Sequence, residues 1–225
     1  LTCTILTIFA YIPLRPGAEH SLNRQLKRYF NSCDHLMKYR EPEENLQGGF
    51  LGRLRDNFHI RQILRLPDRM GMWVAHLQPA EKTDQKAAVR EMLHNLQALS
   101  YRIIELNKVR SKLRPEDSIS DLKQEVDDWR YDVHRTLQQL HTDPAAISPS
   151  AFAKKQLAMM NQLDKNVEKE IDNPKGKTLS NQATEMYYLL LGGYRGVAVA
   201  LSACTKSAAT IDWQLFDSEE KQERR

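Results

Sequence analysis

Glu91 and His94 stand three residues apart, in the E-x-x-H spacing with which di-iron helical bundles hold metal. Such a site needs two copies of the motif and two further inward carboxylates, but this sequence contains the motif once. With Val89 and Met92 on the apolar side of a helix, Glu91 and His94 fall on its outer side. The pattern therefore predicts no metal site, and an enzyme assembled from dispersed residues such as these two is kept as an alternative.

Two other combinations of reactive residues are excluded by their spacing. His134 and His141 are separated by a helical rise of about 10.5 Å, whereas a zinc ion binds each nitrogen at about 2 Å. The consecutive residues Cys33, Asp34 and His35 point in different directions on a helix, so they do not form a nucleophile with its base. We therefore predict no catalytic residue, no metal ligand and no cofactor, and a protein that is not an enzyme.

The composition favours a helical protein. The 225 residues are 28% charged and 41% hydrophobic. With only nine Gly and nine Pro, the chain has few of the residues that form the many turns of a β-architecture. The three Cys residues are widely spaced and form neither a disulfide framework nor a metal-binding pair. The predicted fold class is all-α.

Apolar residues at three- and four-residue spacing predict seven helices, separated by Pro and Gly joints. They cover about residues 18–40, 50–64, 66–78, 81–113, 118–141, 150–171 and 180–211. Antiparallel neighbours in a bundle bury seams of this kind, and the short joint 113–117 suits a helical hairpin. On the helix 150–171 the predicted inner residues are Leu157, Met160, Leu163, Val167 and Ile171.

The last predicted helix, 180–211, carries an unbroken apolar seam. Its members are Ala183, Tyr187, Leu190, Tyr194, Val197, Leu201, Cys204, Ala208 and Ile211. A second stripe of small residues includes Gly192, Gly196, Ala200 and Ala203, and such a stripe lets another helix approach closely. The glycines lie mid-helix and follow no strand, so they match neither phosphate-binding loop. We predict a central helix packed on two faces, with the stripe seating a helix of this chain or of a second protomer.

The pattern of the first residues indicates the end of a membrane span. An uncharged apolar run, 1–14, is followed by Arg15, Arg24, Lys27 and Arg28, as where a membrane helix emerges on the cytoplasmic side. Since a span needs about 20 apolar residues and the chain begins with Leu, we expect a truncated span. The predicted parts are this span (1–14), a cytosolic helical bundle (15–216) and a charged tail (217–225). A buried core segment is the alternative for 1–14.

The positive charge lies beside that run. Residues 1–70 hold eleven Lys and Arg against seven Asp and Glu, and this difference of four equals the net charge of the whole chain. A basic zone next to a span suits an anionic cytoplasmic leaflet, so Arg15, Arg24, Lys27 and Arg28 are predicted to contact lipid headgroups. No stacking aromatics alternate with the basic residues and no nucleic-acid motif is present, so nucleic acid is not an expected partner.

Both ends of the chain resemble one family. The segment 187–196 (YYLLLGGYRG), the sequence Ile211-Asp212-Trp213 before a charged terminus, and the segment 12–17 (IPLRPG) resemble the C-terminal cytosolic region of fusaric-acid-resistance-like (FUSC) membrane proteins, which include bacterial aromatic acid exporters. The resemblance implies a multi-span inner-membrane efflux protein whose transport pathway lies outside this chain.

That resemblance sets the expected function. The bundle would lie on the cytoplasmic side of a bacterial inner membrane, would contact the transmembrane part of the same protein, and would serve assembly or regulation rather than catalysis. A homo-oligomer is left open, and Tyr194 with Arg195 is predicted to contact an aromatic acid effector. The alternative is a free-standing soluble helical protein-interaction module.

Overall fold

The computed structural model describes residues 18–38, 49–76, 83–112, 123–172 and 181–214. Within them lie six α-helices and a short 3-10 helix, Pro144–Ala146, and no strand. The helices are α1 (Ala18–Met37), α2 (Gly49–His76), α3 (Thr83–Arg110), α4 (Lys123–Thr142), α5 (Pro149–Asp172) and α6 (Asn181–Ala208). The predicted all-α fold class is confirmed.

Hydrogen bonds between helices show that neighbours run in opposite directions. Between α1 and α2, Ser32 bonds to Gln62 whereas His35 bonds to Asp56, so residue numbers rise on one helix as they fall on the other. The hydrogen bonds Ile63–Ser100 and Asp68–Gln97 show the same order between α2 and α3, and Asp34–His134 and Lys27–His141 show it between α1 and α4. Between α3 and α6 it follows from the hydrogen bond Asn95–Ser207 and the close packing of Leu106 on Gly193. The predicted antiparallel bundle is confirmed.

The apolar seams predicted for α1, α3 and α6 form one core. Buried on α1 are Leu22, Leu26, Tyr29, Phe30, Cys33, Leu36 and Met37; on α3 Val89, Met92, Leu96, Leu99, Ile103 and Leu106; and on α6 Tyr187, Leu190, Tyr194, Val197, Leu201, Cys204 and Ala208. The helical period of 3.6 residues brings each set onto one side of its helix. Burying each large apolar side chain contributes about 1.5–3 kcal/mol, before the entropic cost of ordering the chain.

One continuous helix, α2, replaces the two helices predicted for 50–64 and 66–78, so that prediction is wrong. The helix continues through Pro67, which has no N–H to offer the carbonyl of residue 63. The Ser100 hydroxyl of α3 donates to that carbonyl, the Ile63 oxygen, at 2.8 Å. A neighbouring helix thus supplies the bond that the proline removes, and the helix does not have to end.

The inner side of α5 also differs from the prediction. Leu157 is 64% exposed, while Gln156 is buried together with Met160, Leu163 and Val167. The Gln156 amide bonds to two buried side chains of α4, and a leucine at that place would leave the Trp129 indole N–H without its acceptor and Asp132 Oδ2 without its donor. The buried side of α5 therefore runs through Phe152, Gln156, Met160, Leu163 and Val167, and the polar bonds of Gln156 replace the packing expected of Leu157.

The predicted hairpin between the helices 81–113 and 118–141 is not formed, because α3 and α4 contact each other little. α3 packs mainly against α6 and α2, whereas α4 packs mainly against α1. An apolar seam shows which side of a helix is buried, but several helices of one bundle offer equally apolar partners. The joint 113–117 itself lies outside the described residues.

The last helix packs on two faces, as predicted, with α3 on one and α5 on another. Its segment Thr184–Ala208 is long and apolar enough to cross a membrane, and half of its most apolar window is buried inside the bundle. A core helix of a soluble bundle has the same properties, so this helix alone is weak evidence for membrane association. The predicted span 1–14, Arg15 and the tail 217–225 lie outside the described residues.

Candidate functional site

The basic residues predicted to face lipid are exposed where the structure describes them. Arg24, Lys27 and Arg28 lie on the outer side of α1, while Leu22 and Leu26 on the same turns are buried. The first half of α1 therefore presents three cations to its surroundings. Arg15 lies outside the described residues.

Only part of the small-residue stripe on α6 packs against a neighbouring helix of this chain. A Cβ added at Gly196 would meet Arg102 Cδ at 3.1 Å, so α3 does approach closely there. A Cβ added at Gly192 would meet no heavy atom within 4 Å, so the prediction that Gly192 seats a helix is wrong within this chain. Gly193 has that role, with Leu106 Cδ1 3.0 Å from the added Cβ. Since consecutive residues differ by about 100° around a helix, the neighbouring glycine faces α3 instead.

Two further members of the stripe differ in burial. Ala200 is buried, and Ala203 is half-buried with its carbonyl 3.4 Å from Asn95 Nδ2. The same Asn95 amide donates to the Ser207 hydroxyl at 3.2 Å. The close contact between α3 and α6 therefore extends from Gly193 to Ser207 along one side of α6.

The predicted effector residues Tyr194 and Arg195 are not brought together. Tyr194 is buried, with its ring centroid 4.7 Å from that of Trp129 and its hydroxyl accepting a hydrogen bond from Arg130 Nη2 at 3.1 Å. Arg195 is exposed and forms an ion pair with Asp164 of α5. The cation beside the aromatic ring is therefore Arg130, which sequence reasoning missed because it lies on another helix.

An open surface depression of about 550 Å³ lies near the start of α6. Thr184, Glu185, Tyr188 and Leu189 line it. Neither of the predicted effector residues takes part in its wall. This depression thus does not bring Tyr194 and Arg195 together around one small acid.

A set of polar side chains joins α4, α5 and α6, and we call it the charged junction. Its members are Trp129, Arg130, Asp132, Lys155, Gln156 and Tyr194. The buried Asp132 carboxylate accepts hydrogen bonds from Lys155 Nζ and, at 2.7 Å, from Gln156 Nε2. The Gln156 carbonyl oxygen in turn accepts the Trp129 indole N–H at 2.9 Å. These contacts hold three helices in register and satisfy polar groups that burial would otherwise penalise.

A second set joins α1, α2 and α3, and we call it the hydroxyl junction. It consists of the hydroxyl groups of Tyr29 and Ser100 and the carbonyl groups of Ile63 and Leu96. The Tyr29 hydroxyl donates to the Leu96 oxygen at 2.6 Å and lies 2.9 Å from Ser100 Oγ. Burial raises the pKa of Tyr29 well above its ordinary value, and the nearby Cys33 and Cys204 raise it further. Tyr29 thus stays protonated and donates over the neutral range.

The reactive residues of the sequence are held apart by separate partners. Asp34 contacts His134 of α4 and Lys38 of its own helix, whereas His35 bonds to Asp56 of α2. Cys33 is buried, and burial raises the pKa of its thiol, so it is not an activated thiolate.

The residues of the E-x-x-H motif do not come together with other metal-binding side chains of the described residues. Glu91 and His94 are both exposed, on the outer side of α3 as predicted. Across the described part of the chain, no three His, Cys, Asp or Glu side chains cluster closely enough to hold a metal ion. The polar clusters of the bundle thus join helices to one another.

No family model, curated protein or solved structure matches this chain. The resemblance of its two ends to FUSC proteins therefore stays an expectation from the sequence.

Proposed function

We propose that this chain is the C-terminal cytosolic region of a FUSC-like inner-membrane efflux transporter that exports aromatic acids or related compounds. The observation that carries the proposal is the order of features at its front: an apolar run, then α1 with Arg24, Lys27 and Arg28 all exposed. The motifs in 12–17, 187–196 and 211–213 that resemble this family support it, and an all-α bundle is the fold that the resemblance implies.

In this proposal the bundle serves assembly or regulation and performs no catalysis. Its partners are lipid headgroups, the transmembrane part of the same protein and a second protomer, and nucleic acid is not among them. Each exposed cation near an anionic leaflet contributes on the order of 1 kcal/mol to membrane association. The three cations of α1 would thus hold the start of the bundle against the cytoplasmic surface of a bacterial inner membrane.

Membrane fractionation with protease accessibility tests the proposal. The full-length gene product is expressed in a bacterium, and protease is added to spheroplasts and to inverted membrane vesicles. We expect the protein in the membrane fraction, with residues 15–216 cleaved only in inverted vesicles, where the cytoplasmic face is exposed. Cleavage in spheroplasts would show that the domain lies on the opposite side of the membrane. A fully soluble product would contradict the assignment to a transporter.

A free-standing soluble interaction module is the second candidate. Tyr188 and Leu189 of α6 favour it: both are at least half exposed and both line the open depression near the start of the helix, and neighbouring large apolar side chains on a surface often mark a protein contact. The gene sequence upstream separates the two candidates. Several segments of about 20 apolar residues support the transporter, whereas an initiating Met close to Leu1 supports the module.

A further inference from the structure

The outer face of α2 combines arginines with large apolar side chains. Leu54, Phe58, Arg61, Arg65 and Met72 follow each other at spacings of four, three, four and seven residues, which places them on one side of the helix. The exposed Asp68 lies on the same side, between the last two. Leu54 is 48%, Phe58 55% and Met72 62% exposed, and both arginines are exposed. The line from Leu54 to Met72 is about 27 Å long, at about 1.5 Å per residue.

α2 also has the largest excess of positive charge among the six helices. It contains five Arg residues and no Lys, against two Asp, for a net charge of three. The helix α5, of similar length, contains four Lys against four Asp and Glu and is neutral. The five arginines are Arg53, Arg55, Arg61, Arg65 and Arg69, all exposed and none in an ion pair with another described residue.

The two acids of α2 offset only part of this positive charge. Asp56 contacts His35 on α1, and Asp68 accepts a hydrogen bond from Gln97 on α3. Both carboxylates are thus bonded to neighbouring helices. With both carboxylates counted, α2 keeps a net charge of three, so the outer face around Leu54, Phe58 and Met72 stays positive.

We propose that this outer face of α2 docks on an anionic lipid surface. Lipid phosphates and carboxylates match guanidinium groups, which bind such oxygens in pairs. Phe58, Leu54 and Met72 enter the boundary between headgroups and acyl chains, as the apolar face of an interfacial helix does. A nucleic acid would satisfy the arginines but would leave three large apolar side chains in water.

This inference does not depend on the transporter assignment, since it concerns a different helix face from Arg24, Lys27 and Arg28. A soluble module with the same face would bind the membrane peripherally. If the chain does follow a membrane span, docking through α2 lays the bundle flat against the bilayer, because α1 runs antiparallel beside α2.

Vesicle flotation of the whole chain tests the inference. The protein is mixed with vesicles of phosphatidylcholine alone or with 30% phosphatidylserine, at low and at high salt. Attachment to neutral vesicles reports apolar segments such as 1–14, so the gain on adding phosphatidylserine is the quantity of interest. We expect a clear gain at low salt that high salt removes, since screening weakens surface electrostatics.

Variants of the exposed face locate the binding. Because each basic residue near an anionic leaflet gives about a fivefold gain in affinity, R61E with R65E is expected to lower the phosphatidylserine-dependent affinity at least about 25-fold. Phe58→Ser with Met72→Ser is expected to lower it about tenfold or more, by removing inserted apolar surface. All four side chains are exposed, so circular dichroism should show an unchanged fold.

Matched controls lie on α5, which contacts α2 little. Lys154→Glu with Lys165→Glu makes the same change in charge at two exposed positions, and Leu157→Ser makes the same apolar change at a side chain 64% exposed. Both are expected to keep wild-type affinity. If Lys154→Glu with Lys165→Glu lowers the phosphatidylserine-dependent affinity as much as R61E with R65E, binding depends only on net charge and the proposal is overturned.

Other outcomes overturn the proposal and identify a different role. Absence of any gain with phosphatidylserine excludes the lipid surface. A dimer that Phe58→Ser with Met72→Ser converts to monomer, without lipid binding, would assign the face to a second copy. Duplex DNA or RNA binding that R61E with R65E abolishes, in the absence of lipid binding, would assign it to nucleic acid. Loss of phosphatidylserine binding in R24E with R28E alone would place the contact on α1, as in the proposed function.

Discussion

The hydroxyl junction and the charged junction each hold three helices around a buried aromatic residue, Tyr29 in the first and Trp129 in the second. In the first, the carbonyls of Ile63 and Leu96 accept the hydrogen bonds, and no substitution can remove a backbone carbonyl. In the second, every contact joins two side chains, as between Trp129 and Gln156. The first junction therefore depends on two donors, whereas the second depends on a matched set of partners.

The largest expected effect is at the centre of the charged junction. Trp129→Ala removes a fully buried indole that packs on Tyr194 and donates to Gln156. We expect a loss of about 3–5 kcal/mol in the free energy of unfolding, measured by urea denaturation. Trp73→Ala, at a half-buried position of α2, is the control and should cost less. A cost for Trp129→Ala below that of Trp73→Ala would contradict the central place of the indole.

The hydroxyl junction is broken most directly at Ser100. Ser100→Ala leaves the Ile63 carbonyl buried without a donor and should cost about 1–3 kcal/mol. Pro67→Ala supplies a backbone N–H for the same carbonyl, so Ser100→Ala should cost much less in that background. A double-mutant cycle by urea unfolding measures this coupling. Equal costs of Ser100→Ala in the two backgrounds would show that Ser100 does not replace the bond lost at Pro67.

Adjacent residues of α5 sharpen the comparison at the charged junction. Gln156→Leu would improve the apolar pattern of the helix, yet it removes a donor to Asp132 and an acceptor for Trp129. We expect a loss of about 1–3 kcal/mol. The matched variant Leu157→Gln, at an exposed position, should change stability by less than about 0.5 kcal/mol. A stable Gln156→Leu protein would mean that apolar packing alone orients α5.

Alkaline pH should affect the core beside the hydroxyl junction. Burial raises the pKa of the Cys33 thiol above its ordinary value of 9.0, so above that pH the unfolded chain loses a proton that the folded chain keeps. The free energy of unfolding keeps its full contribution from Cys33 below pH 9.0 and loses it as the pH rises. One pH unit above it, Cys33 should account for about 1.4 kcal/mol of the loss. Burial raises the pKa of the Cys204 thiol in the same way, so Cys33→Ala should remove only its own part of the pH dependence, and an unchanged profile would contradict a buried, protonated Cys33.

Substitutions at the contact between α3 and α6 should have the smallest effects on stability. Gly192→Ala adds a methyl group that meets no neighbour, so it should stabilise the helix by about 0.5–1 kcal/mol. Gly193→Ala forces Leu106 to move by a few tenths of an ångström and should offset that gain or reverse it. Thermal unfolding of the two variants compares them. A larger gain from Gly193→Ala would show that α6 does not approach α3 as closely as the structure indicates.

Among the predictions, the apolar seams of α1, α3 and α6 were confirmed. Leu22, Leu96 and Leu201 belong to seams that the sequence places correctly, because a helix turns by the same angle at every residue. Predictions at single residues were less successful. Pro67 did not end a helix, Leu157 was not buried, and Gly192 did not seat a helix of this chain, since in each case a residue distant in sequence decided the outcome.

The sequence by itself therefore determined that the chain is all-α, and which side of α1, α3 and α6 faces the core, because periodic burial needs no knowledge of the partner. Only the tertiary structure decided which helices meet, that Ser100 sustains α2 through Pro67, and that Arg130 rather than Arg195 lies beside Tyr194. The physical reason is that hydrogen bonds between helices depend on atoms dozens of residues apart, and their approach is fixed only when the whole bundle packs.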